Sequence, residues 1–175
     1  MPTSWFYPSV ATQFCEADVH VPWMHTNTSF TTIDLGTEEY EINCIRSAYD
    51  LRHISNPLVN DMKMRTYYLV LTGFNWEDLP PTITGIEAYV GIRRTGRITD
   101  ETVRLYNGQA IGDNRATADL SNIKTYGSPT DRWDVADLTP GSFDENFGLI
   151  LRYQSHPNWP HQSTPQMDHV QIRVW

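Results

Sequence analysis

The histidines are the first residues whose types and spacing suit chemistry. His156 and His161 flank Asn158-Trp159-Pro160, and Asp168-His169 follow. Two or three imidazoles with a carboxylate are a donor set for zinc or another transition metal. The interval from His156 to His161, however, crosses Pro157 and Pro160 in a loop that no helix or strand shapes. His169 is also expected to point to the opposite sheet face from Val170. The plainer reading is a proline-stiffened loop whose Trp159 packs or is displayed, and no metal or other cofactor is expected. Carboxylates are the second group: Asp100-Glu101, Asp113, Asp119, Asp131 and Asp134 sit in or beside turns. A glycosidase needs two carboxylates at a set separation across a cleft. A loop calcium site usually shows a repeating Asp-x-Asp-x-Asp pattern, which is missing here. Turn aspartates ordinarily bond the nearby backbone, and that reading is preferred. There is no Gly-x-Ser-x-Gly, no Gly-rich phosphate loop and no Cys–His pair in an activating context, so the chain is not expected to be an enzyme.

Two groups of aromatics are candidates for contact rather than catalysis. Tyr126, Trp133 and Trp159 lie in or near loops, where they can stack on sugars or anchor a protein interface. The plainer reading is that they cap the ends of a core. Trp5, Phe6, Tyr7, Phe14 and Trp23 crowd the first part of the chain, with Phe30 behind them. This is too aromatic for a solvated tail. Residues 1–35 are either an extended docking arm that buries its aromatics on a neighbour or early strands of the main domain.

Positioning these residues falls to strands. Prolines and glycines punctuate the chain every few residues, and the runs between them are rich in Val, Ile, Thr and Tyr. The spacing predicts an all-β fold: an antiparallel, jelly-roll-like β-sandwich over residues 36–175. In Ile83 to Arg93, Ile86, Ala88, Val90 and Ile92 share one face, the period of two of a half-buried strand. Thr102 to Tyr106 follows with Val103 and Leu105 inward. Asn107-Gly108 then marks a hairpin that returns through Gln109-Ala110-Ile111. Phe147 to Gln154 and Val170 to Trp175 alternate in the same way. Arg65 to Thr72 lacks clean alternation and reads as a strand covered on both faces. Glu41 to Arg46 is a further strand, and Asp137 to Phe143 and Tyr49 to His53 are the only short helix candidates.

Composition narrows the function. The 175 residues carry a formal charge of −8, with two Lys against eleven Arg. Nothing resembles a basic face for a phosphate backbone, so nucleic acid is not an expected partner. No apolar run approaches the ~20 residues of a membrane span, and the start has no charged n-region of a signal peptide. Cys15 and Cys44 form no CxxC, and two reduced thiols are preferred to a disulfide. Residues 1–82 hold a net charge of −6, and Glu38, Glu39 and Glu41 among them read as a solvated face rather than a docking surface for a basic partner.

Several short motifs occur together. They are Ile83-Thr84-Gly85-Ile86-Glu87, Arg97 to Leu105, Asn107-Gly108, Ile111-Gly112-Asp113-Asn114, Thr125-Tyr126-Gly127-Ser128-Pro129-Thr130-Asp131-Arg132-Trp133, Asn146-Phe147-Gly148 and Asp168 to Ile172. In order and spacing residues 83–175 resemble a β-sandwich module of virion structural proteins of tailed bacteriophages, notably marine ones such as cyanophages. The resembled module has Gly after the Trp where this chain has Asp134, a residue that reaches positive φ less readily. The resemblance implies a structural protein located in the virion and assembled in the host cytoplasm. Its implied partners are other capsid, neck or tail proteins and further copies of itself. It carries over no catalytic residue. The alternative function is a carbohydrate-binding or receptor-binding module on a tail or capsid surface, with a host glycan as partner.

Overall fold

Alternation of apolar and polar side chains sets the strands of this protein, and two irregularities reset it. The computed structural model describes residues 3–14, 20–21, 24–25, 28–29, 32–34, 54–55, 65–95, 97–119, 121–155 and 164–175. The strands are β1 Val10–Phe14, β2 His20–Val21, β3 Met24–His25, β4 Thr28–Ser29, β5 Thr32–Asp34, β6 Ile54–Ser55, β7 Arg65–Thr66, β8 Tyr68–Thr72, β9 Ile86–Thr95, β10 Ile98–Asn107, β11 Ala110–Ile111, β12 Ile123–Ser128, β13 Phe147–Ser155 and β14 Thr164–Val174. Sheet I runs β11-β10-β13-β8-β1-β5, with β7 beside β13 and β2 beside β7; sheet II runs β12-β9-β14-β6-β3-β4. Apart from the parallel β2–β7 pair, the described pairings are antiparallel. The fold is an all-β sandwich of two packed sheets.

The core is the set of inward residues. Leu69, Leu71, Val103, Leu105, Phe147, Leu149, Leu151 and Tyr153 come from sheet I, and Ile86, Ala88, Val90, Ile92, Val170, Ile172 and Val174 from sheet II. The four inward positions read from Ile86 to Ile92 are all buried. Each β10 and β14 strand carries one extra residue. The register slips between Asp100 and Thr102 on β10 and between Met167 and His169 on β14. A bulge of this kind shifts the side-chain phase by one. Asp100 and Val103 therefore both enter the interior, as do Met167 and Val170, while Glu101 and His169 go to the outer faces.

The described part of the N-terminal segment belongs to the sandwich. Phe6 exchanges backbone bonds with Ile172, N to O at 2.8 and 2.9 Å, and Thr3 N donates to Val174 O at 3.0 Å. The chain then crosses between the sheets: Ser9 N donates to Thr72 O at 3.1 Å, and β1 pairs with both β8 and β5. Phe6 is buried in the core, 5.0 Å from the Trp76 ring. This corrects the docking-arm assignment of Trp5 and Phe6. Phe6 is satisfied by β14 and the core of its own sandwich, and the Trp5 ring packs on Tyr89 of β9.

Other elements differ in extent. Tyr67 divides the Arg65 to Thr72 strand into β7 and β8, and Leu69, Val70 and Leu71 are all buried. In the Asn107-Gly108 hairpin only Gly108 takes a positive φ, 68°. The helix expected over Asp137 to Phe143 is a single 3-10 turn, Pro140–Ser142. Gly141 and the lack of a helical apolar stripe leave nothing to propagate it. The chain end is tied down, with Trp175 N donating to Gly85 O at 2.8 Å. Glu41 to Arg46, Tyr49 to His53, both cysteines, Trp23, His156, Trp159 and His161 lie outside the described residues.

Candidate functional site

Several of the motifs within residues 83–175 meet at Trp133: Ile86, Gly127 and Asp131 lie against it, and Asp113 N donates to its carbonyl at 2.7 Å. Its ring is fully buried, and its Nε1 donates to Ile86 O at 3.0 Å. The chain reaches this position through a left-handed pair, Trp133 at φ 56° and Asp134 at φ 57°. Gly127, at φ 78°, lies against the indole: a Cβ there would stand 2.1 Å from Ile86 O and 2.6 Å from Trp133 Nε1. Asp131 Oδ1 accepts from Trp133 N at 2.8 Å and from Arg115 Nη2 at 2.7 Å. Asn114 Oδ1 accepts from Val103 N at 2.9 Å, and its Nδ2 donates to Glu101 O at 2.8 Å. These polar groups hold turns and strand ends.

Beside this lies a buried polar cluster that spans the sheets. Asp100 Oδ2 on β10 accepts from Lys124 Nζ at 2.6 Å and from Tyr126 OH at 2.7 Å, both on β12. Thr117 Oγ1 accepts from Lys124 Nζ at 3.2 Å. The ion pair is enclosed, with side chains 5% and 0% exposed. Its neighbour Glu101 faces the other way and meets Arg65 at 2.7 Å and Arg152 at 2.8 Å. The two adjacent carboxylates thus share no cleft, and each faces a cation. Asp119 and Asp144 accept from the backbone two residues on, Ser121 N at 3.1 Å and Asn146 N at 2.8 Å, as Asx turns do.

This geometry corrects part of the aromatic assignment. Tyr126 and Trp133 are buried, so neither offers a ring face to a sugar or a partner. Tyr126 is inward because it alternates with exposed Thr125 on β12. Trp133 is inward because the left-handed turn folds its ring beneath β9.

The outer faces carry a further set of ring and ion-pair contacts. On sheet II, the Trp5 ring meets Tyr89 edge-on at 6.0 Å, and Tyr89 packs on His169 at 4.9 Å. The Arg173 guanidinium lies 4.4 Å over Trp5 and 4.7 Å over Trp175. It donates to Glu87 Oε2 at 2.7 Å, which also accepts from Trp175 Nε1 at 2.7 Å. His169 lies against Gly91. Among the described residues no group of three or more His, Cys, Asp or Glu converges as metal ligands would.

On sheet I, β1, β8, β13 and β10 form a groove of about 400 Å³, lined by Phe14, Tyr68, Thr102, Arg104, Tyr106, Gln109 and Ile150 among others. Phe14 is 41% exposed and stacks on Tyr68 at 5.0 Å. The Arg152 guanidinium lies 4.0 Å from the Tyr68 ring centre. Arg104 spends Nε and Nη2 on Gly112 O. Tyr7 lines two other hollows with Asn75.

Phe14 was singled out in sequence for a different role, and Tyr68, Arg104 and Tyr106 were not singled out at all. Arg104 and Tyr106 alternate with inward Val103 and Leu105, so the period of two marks them as outward. Nothing local shows that Phe14 and Tyr68 are cross-strand partners. Comparison of the chain with family models, with curated proteins and with solved structures finds no match.

Proposed function

We propose that this chain is a non-enzymatic structural component of a tailed-bacteriophage virion, a capsid-decoration, neck or tail-associated protein that works through protein–protein contacts. One observation carries the reading. Within the stretches that resemble phage virion modules, Asn114 and Asp131 spend their side chains on nearby backbone and Trp133 donates to Ile86 O, so these groups hold the scaffold. Side chains used in this way serve a rigid two-sheet body whose outer faces and loops are left to meet neighbours. The opposed placement of Asp100 and Glu101, each against a cation, supports the non-enzymatic part. Jelly-roll connectivity, symmetric self-association and assembly in the host cytoplasm belong to the same proposal.

The test is made on particles. Gradient-purified phage, washed in high salt and quantified by mass spectrometry, is expected to hold the protein in fixed ratio to the major capsid protein. Its loss from intact washed particles overturns the role.

A further inference from the structure

The geometry points to a binding site for a carboxylate-bearing saccharide in the groove on the outer face of sheet I. This goes beyond the assembly role and rests on different residues. The floor is an aromatic platform. Phe14 stays 41% exposed, yet it is held in place by β1 pairing and by stacking on Tyr68 at 24° between ring planes. Arg152 in turn lies against the Tyr68 ring. A flat, preorganised ring in a shallow groove suits the C–H face of a pyranose, which buries apolar surface without losing its hydroxyl contacts elsewhere. The rim supplies polar partners. The Tyr106 hydroxyl makes no hydrogen bond with the protein among the described residues, and the Gln109 side chain is exposed.

Arg104 decides the class of saccharide. Its two bonds to Gly112 O fix the guanidinium plane, and among the described residues no carboxylate pairs with it. Among the described residues no Asp or Glu lines the groove, in a chain whose formal charge is −8. An arginine held in place, half-buried and without a counter-ion complements a carboxylate through charge-assisted hydrogen bonds from its remaining N–H groups. A nucleic acid is disfavoured, because one cation does not offset a polyphosphate's repulsion from an acidic chain. A neutral sugar would leave the charge uncompensated.

Sialyllactose and a glucuronic-acid disaccharide are the probes, with lactose and the matching glucose disaccharide as neutral controls. Each is titrated into the full chain and followed by NMR and calorimetry. Saturable binding of a carboxylated probe is expected, about tenfold tighter than its neutral control, as for one charge-assisted contact. Arg104→Gln is expected to remove that preference and Phe14→Ala to weaken binding about tenfold. Should Arg104→Gln lose its fold with the Gly112 contact, Phe14→Ala and Tyr106→Phe still report, since neither ring tip is tied to the protein by a hydrogen bond. Failure of both carboxylated probes to bind overturns the site, as does equal binding of the neutral controls or undiminished binding by Phe14→Ala. Particle incorporation of the same variants is measured separately, so loss of glycan binding and loss of the assembly role are distinguishable.

Discussion

The residue scale is where the chain departs most from local rules. Asp134 holds φ 57° beside Trp133 at φ 56°, the conformation that the Gly of the resembled module would take freely. Asp134→Gly is expected to raise stability by about 0.5 kcal/mol in thermal unfolding. Relief of left-handed strain outweighs the larger unfolded-state entropy of Gly. Gly127→Ala is expected to cost about 3 kcal/mol, because its Cβ would strike Ile86 O and the Trp133 indole. Lys124→Met strands the Asp100 carboxylate in the interior and is expected to cost ~3–5 kcal/mol. Adding Asp100→Asn should return roughly half of that by removing the unpaired charge while keeping an acceptor for Tyr126. A denaturant series on the three chains reads this directly, and equal losses in the single and double variants would contradict it. Of these features, only the left-handed position of Asp134 was legible in sequence. Asp131-Arg132-Trp133-Asp134 reads as a loop, and only the left-handed turn reveals that the ring faces inward. Asp100 and Glu101 read as turn carboxylates; placed within β10, ordinary strand alternation sends them to opposite faces.

At the scale of elements the period of two did most of the work. Ile86, Ala88, Val90 and Ile92, and likewise Phe147, Leu149, Leu151 and Tyr153, are buried on one face as their spacing predicts. Partner choice was not legible. β1 and β8 meet across more than fifty intervening residues, and a strand's edge carries no local mark of what pairs with it. The same gap hid the role of the N-terminal aromatics, whose density is as consistent with an arm as with a strand. Phe6→Ala is expected to cost about 3 kcal/mol, and removal of residues 1–14 to unfold the sandwich by opening the edges of β8 and β14. Circular-dichroism melts check both; a truncated chain with an unchanged Tm would show the segment to be a detachable arm. β12 shows how an edge is protected. Its inward Lys124 is buried against Asp100, and an inward charge on an edge strand discourages added strands.

For the whole molecule, fold class was legible. Turn residues every few positions, β-branched runs and the lack of helical stripes predicted an all-β sandwich, and two packed sheets are what forms. Composition turned attention from phosphate backbones towards proteins and sugars, but the groove on sheet I needed four strands from distant parts of the chain. The account rests on the sandwich serving as a building block of a particle. Single-particle cryo-electron microscopy of the purified phage tests this most directly. It is expected to show density for the two-sheet body at symmetry-related positions, with a sheet face or loop set against a neighbouring protein. Fully accounted capsid, neck and tail density with no place for this sandwich would contradict the account.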